Sequence, residues 1–69
     1  MTLRWWSPSE TEWVAHTNGT AYRVRAWNYG TRFSVYLERK GVTTAIGDAS
    51  TLEAAQRMAQ QHHDRGSHD

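Results

Sequence analysis

The sequence predicts an α+β domain: a four-stranded (three to four) antiparallel β-meander with one C-terminal α-helix packed on one face. Three observations predict it. Apolar and polar residues alternate over residues 21–46, the period of half-buried strands. Asn18-Gly19 joins two such runs and is the strongest short hairpin signal, because both central residues of a type I′ turn need positive φ. Ser50-Thr51-Leu52-Glu53 has the form of a capping box, and helical spacing of apolar residues follows it.

Length and composition set the frame. Sixty-nine residues make one domain, and a chain this short buries only about 60% of its unfolded surface. There is no cysteine, hence no disulfide and no thiolate metal site. No apolar run approaches the roughly 20 residues that span a bilayer, and the N-terminus lacks the pattern of a signal peptide. These features lead to the expectation of a cytoplasmic protein with no membrane contact. Aliphatic residues are few, while Trp occurs four times and Tyr three times, so aromatics are expected to build much of the core. The formal net charge is +1, so any basic character is local.

Taken in order, residues 1–9 form an extended N-terminal segment around Trp5-Trp6 and Pro8. Adjacent tryptophans point to opposite sides, so one is expected to cover the core while the other is exposed or lies in a dimer contact. Residues 10–46 form the meander. The Asn18-Gly19 turn sets Thr17 against Thr20, Ala15 against Tyr22, Trp13 against Val24 and Glu12 against Arg25. A turn at Asn28-Tyr29-Gly30 sets Ala26 against Phe33, Val24 against Val35 and Tyr22 against Leu37. A third turn within Glu38-Arg39-Lys40-Gly41 is expected to set Leu37 against Val42, Val35 against Thr44 and Phe33 against Ile46. Val42 and Ile46 then join the apolar face, and Gly47-Asp48 ends the sheet. The helix is expected over residues 50–63, with Ser50 as its cap and Leu52, Ala55, Met58, Ala59 and His62 as its inward stripe. Residues 64–69 read as a disordered tail.

The chain carries no nucleophile elbow and no phosphate-binding glycine loop, so it reads as non-enzymatic, with no catalytic residue and no cofactor. His62, His63 and His68 lie near Asp64 and Asp69, but none forms the i, i+4 pair that chelates from one helical face. No metal site is expected; such residues suit the negative end of a helix dipole. His16 reads as a surface residue.

The outer face of the sheet is the candidate site. It carries Glu12, Val14, His16, Arg23, Arg25, Trp27, Arg32, Ser34, Tyr36 and Glu38, then Thr43 and Ala45. Arg25 has Glu12 beside it, Trp27 has Arg32 and Arg23 has Tyr36. Two readings fit. These are ordinary cross-strand pairs on a solvated face, or Arg23, Arg25, Trp27, Arg32 and Tyr36 form a binding surface. Arginine interleaved with aromatics suits nucleic acid and equally suits a protein partner.

The run Tyr22-Arg23-Val24-Arg25, then Arg32-Phe33-Ser34-Val35-Tyr36-Leu37, Ala45-Ile46-Gly47 and Ser50-Thr51-Leu52-Glu53-Ala54-Ala55 resembles the β-β-β-α plan of plant ethylene-response-factor DNA-binding domains. It is similar also to the N-terminal domains of phage integrases and to small phage and bacterial proteins of this size. The resemblance covers residues 21–63 and leaves the strand at 12–17 outside it. It implies a helix backing a sheet whose open face enters the major groove of duplex DNA, with Arg23, Arg25, Trp27 and Arg32 facing the groove. DNA binding through the open face is the leading expectation. The alternative is a protein-binding module, such as a phage-encoded inhibitor or adaptor, present as a monomer or a homodimer.

Overall fold

A computed structural model of the chain describes residues 2–17 and 19–66. Strands β1 (Trp6–Ser9), β2 (Glu12–Thr17), β3 (Thr20–Trp27), β4 (Arg32–Arg39) and β5 (Val42–Ala49) are followed by helix α1 (Leu52–Gly66). The strands form one antiparallel sheet in the order β1-β2-β3-β4-β5. The architecture is the expected α+β meander with a C-terminal helix, but it has five strands, not four. The additional strand, β1, lies in the segment read as merely extended. It pairs Trp6 with Val14 and Ser9 with Glu12, with a register shift between them. Pro8 sits within it, as an edge strand allows.

The two central hairpins have the expected register. Thr17 faces Thr20, Ala15 faces Tyr22, Trp13 faces Val24 and Glu12 faces Arg25. Ala26 faces Phe33, Val24 faces Val35 and Tyr22 faces Leu37. Gly19 has φ +68, as its turn requires; Asn18 lies outside the described residues.

The last hairpin departs from expectation. Its turn is the two residues Lys40-Gly41, with φ +51 and +80, closed by Arg39 opposite Val42. Leu37 therefore faces Thr44, not Val42. A bulge follows: Tyr36 pairs with Ala45 and Val35 with Gly47, leaving Ile46 as the extra residue. Phe33 faces Ala49, not Ile46. Val42 is 63% exposed and does not join the core, whereas Ile46 still packs against it. Gly47 does not end the sheet. A Cβ there would stand 2.9 Å from Met58 Sδ, so the glycine lets helix and strand approach.

Leu3, Ala15, Tyr22, Val24, Phe33, Val35, Ala55 and Ala59 form the core between sheet and helix. Trp5, just before β1, packs against it, while Trp6 pairs with Val14 and is half exposed on the other face. The Leu3 N–H donates to Gln60 Oε1 at 2.8 Å and ties the N-terminal segment to the helix. Ala55 and Ala59 are fully buried, so the inward stripe brings the helix close to the strands. His62, at the end of that stripe, is exposed but reaches the Tyr22 hydroxyl with Nδ1 at 2.9 Å. With the imidazole protonated on Nε2 the hydroxyl donates. Burial raises the Tyr22 pKa, partly opposed by Arg39.

The helix cap is one residue later than the motif suggested. Thr51 Oγ1 accepts from the Ala54 N–H at 3.1 Å, so Thr51 is the cap. Position 54 is alanine, so the reciprocal half of a capping box has no side chain to make it. The helix also runs on to Gly66, beyond the expected end at 63. The remainder of the expected tail, residues 67–69, lies outside the described residues. Among the described residues, no helix is long and apolar enough to cross a membrane.

Candidate binding face on the open side of the sheet

Strand alternation places Arg23, Arg25 and Trp27 of β3, and Arg32 and Tyr36 of β4, on the face opposite the helix. The register sets Arg23 against Tyr36 and Trp27 against Arg32. All five predicted site residues therefore share one surface, but they play different parts in it.

Arg23 is bound into the face. Its guanidinium donates from Nη1 to Glu12 Oε2 at 3.1 Å. Its Nε is buried and approaches Glu38 Oε1 at 3.0 Å as an ion pair without hydrogen-bond alignment. Glu12 is directly opposite Arg25, yet it reaches diagonally to Arg23. Arg32 donates from Nη2 to Asp48 Oδ2 at 2.7 Å. That bond, with a hydrogen bond from Ser34, holds the Asp48 carboxyl below the usual carboxylate range. The β5 bulge makes the pair: it brings Asp48 opposite Ser34, onto the outer face.

Arg25 is different. Its guanidinium carbon lies 4.6 Å from the Trp27 ring centroid, a cation–π contact along one strand. Among the described residues it pairs with no carboxylate. Trp27 is 40% exposed. The patch thus holds three arginines against Glu12, Glu38 and Asp48. Its charge is balanced, and Arg25 on Trp27 is its uncommitted cation.

Several residues on or beside this face were not legible as site residues. Tyr29 is fully exposed in the turn between β3 and β4, two residues after Trp27. Asn28, Tyr29 and Gly30 have φ of +49, +57 and +81, a left-handed turn that costs about 1 kcal/mol or more at each non-glycine position. The signal available was an aromatic at a position where turns favour Asn, Asp or Gly. Beside this turn lies an open depression of about 430 Å³, lined by Asn28, Thr31, Arg32, Asp48, Ala49 and Ser50. At the other end of the face, Trp6 stacks on His16 with ring centroids 6.5 Å apart. Val14 is buried although it belongs to this face; its register neighbours are Trp6 and Arg23. Finding the Trp6–His16 stack required β1, which the sequence did not reveal.

The C-terminal histidines divide. His62 and His63 both contact the Tyr22 ring edge-on, at 5.7 and 6.1 Å. His68 lies outside the described residues. Among the described residues, no group of three His, Cys, Asp or Glu side chains is arranged to hold a metal.

Compared with protein-family models, curated proteins and solved structures, the chain matches none of them.

Proposed function

We propose that the chain is a non-enzymatic binding module, acting in the cytoplasm, that docks a protein partner through Arg25, Trp27, Tyr29 and Tyr36. One observation carries this reading: Arg23 and Arg32 are neutralised by carboxylates of the same face, leaving one uncommitted arginine on the exposed Trp27. A duplex-binding surface gains affinity by neutralising phosphates, which needs an excess of free cations. Interface hot spots instead concentrate Arg, Trp and Tyr and need no excess of free cations. The left-handed turn that holds Tyr29 in solvent supports the same reading, since backbone strain is retained where function uses it.

Duplex DNA is the second reading. Its support is that Arg23, Arg25, Trp27, Arg32 and Tyr36 lie on one open antiparallel face, as the resemblance to ethylene-response-factor and integrase domains implies.

One pair of measurements separates them. The protein is used as bait in cell extract treated with nuclease, with the Trp27→Ala variant as control, and a captured protein is then titrated in purified form. A partner lost with Trp27→Ala, and shifting the amide resonances of residues 25–36, supports protein docking. The second measurement titrates a short mixed-sequence duplex at about 50 mM salt. Binding that shifts Arg25 and Arg32 and weakens steeply with added salt replaces the first reading with the DNA one.

A further inference from the structure

The two edges of the sheet are unlike. β1 is four residues long, contains Pro8 and changes register along its length. It is a poor template for another strand. β5 has eight residues, Val-Thr-Thr-Ala-Ile-Gly-Asp-Ala, with no proline and Asp48 as its single charge; its bulge lies at Ile46, so residues 42–45 are its regular stretch. Val42, Thr43, Thr44 and Ala45 are all exposed, so neither the helix nor the N-terminal segment covers this edge. Val42 is a large aliphatic left 63% exposed.

The hairpin geometry says which backbone groups are free. A two-residue turn with both φ positive closes on a hydrogen-bonded pair, here Arg39 with Val42. In an antiparallel ladder such pairs alternate. Thr44, opposite Leu37, therefore turns its N–H and C=O toward β4, while Thr43 and Ala45 turn theirs outward to solvent.

We propose that this edge pairs with a second copy of the chain, antiparallel and centred on Thr44, to make one continuous sheet. The proposal stands apart from the partner-docking reading and does not depend on it. About that centre, Thr43 of one copy meets Ala45 of the other, and the two residues with outward-facing backbone groups exchange hydrogen bonds. Val42 comes to the end of the paired stretch, beside the bulge at Ile46 of the second copy, which covers the exposed valine. The paired stretch, residues 42–45, carries no charge, so no like charges meet across the two-fold axis. A two-fold pairing of this kind is closed: it uses both β5 edges and leaves only the irregular β1 edges outside. The contact is small against the roughly 1,000 Å² of a permanent interface, so assembly depends on concentration.

The test is sedimentation equilibrium of the intact chain from about 10 µM to about 1 mM, with amide hydrogen exchange at both ends of that range. The apparent mass is expected to rise toward twice that of the monomer. The Thr43 and Ala45 amides should gain about tenfold protection at high concentration while Thr44 does not change. Thr43→Pro removes an outward donor and leaves the β4 ladder intact; Val42→Lys brings a charge to the junction. Each should return the monomer with an unchanged circular dichroism spectrum, and if the proline variant fails to fold, Val42→Lys and the exchange data decide. A single monomeric mass up to the highest concentration overturns the proposal. So does a dimer whose Thr43 and Ala45 amides exchange as in the monomer, or one that survives Val42→Lys.

Discussion

Strands β3 and β4 present two faces built by opposite rules. On the inner one, Val24 and Val35 are fully buried against a helix whose Ala55 and Ala59 are equally enclosed. On the outer one, Arg23, Arg25, Trp27, Arg32 and Tyr36 meet solvent or one another. The inner face stabilises by excluding water, with about 25 cal/mol for each Å² of apolar surface removed. The outer face gains little from its ion pairs, since exposed pairs contribute roughly 0–1 kcal/mol each. The comparison teaches that the residues that hold the fold and those of the proposed docking surface are separable. Residues one position apart on a strand can be altered with quite different consequences.

The largest expected effect breaks the inner face. Val24→Ala should lower stability by about 2–3 kcal/mol, from lost burial and an unfilled cavity. In a domain this small that is a large part of the total. A urea midpoint measures it. On the outer face, Trp27→Ala should cost under about 1 kcal/mol of stability yet weaken partner binding by about tenfold or more. If the two substitutions destabilise equally, the division between the faces is wrong.

The helix that covers the inner face offers a smaller test. Thr51→Ala should cost about 1 kcal/mol, because it removes the acceptor of the Ala54 N–H. Ser50→Ala should stay within about 0.5 kcal/mol. Thermal melts of the two variants distinguish the observed cap from the one the motif suggested; a larger effect at Ser50 would return the cap to that residue.

The smallest effects are pH-dependent and opposite in sign on the two faces. Tyr22, inside, has its pKa raised by burial. Its contribution is complete below its ordinary value near 10 and is lost as pH rises through the folded value. Asp48, outside, has its pKa lowered by Arg32 and then Ser34. Its contribution is present above its ordinary value near 4 and is lost as pH falls through the folded one. Stability curves should therefore decline at both extremes. Arg32→Ala should remove part of the acid limb and leave the alkaline limb unchanged. An acid limb unaltered by that substitution would show that the Arg32–Asp48 pair does not control it.

Much of this fold could be read before any coordinate was known. The register of β2, β3 and β4 follows from turn length and a period of two, both local properties of the chain. The same alternation assembles Arg23, Arg25, Trp27, Arg32 and Tyr36 on one face. The Lys40-Gly41 turn was less legible, because lysine is an uncommon occupant of a left-handed position. That uncertainty displaced β5 by two residues.

What only the tertiary structure decided depends on groups far apart in sequence. Gly47 looks like a strand breaker until Met58 is seen against it, and the strand then continues to Ala49. The bulge at Ile46 changes which side of β5 faces the helix, and so delivers Asp48 to Arg32. β1 exists because β2 offers it an edge; nothing in Trp-Ser-Pro-Ser alone favours a strand. Alternation along a strand is set by neighbouring residues, and sequence alone was enough for it. Bulges, added edge strands and the pairing of distant charges are set by packing between elements, and no local pattern records them.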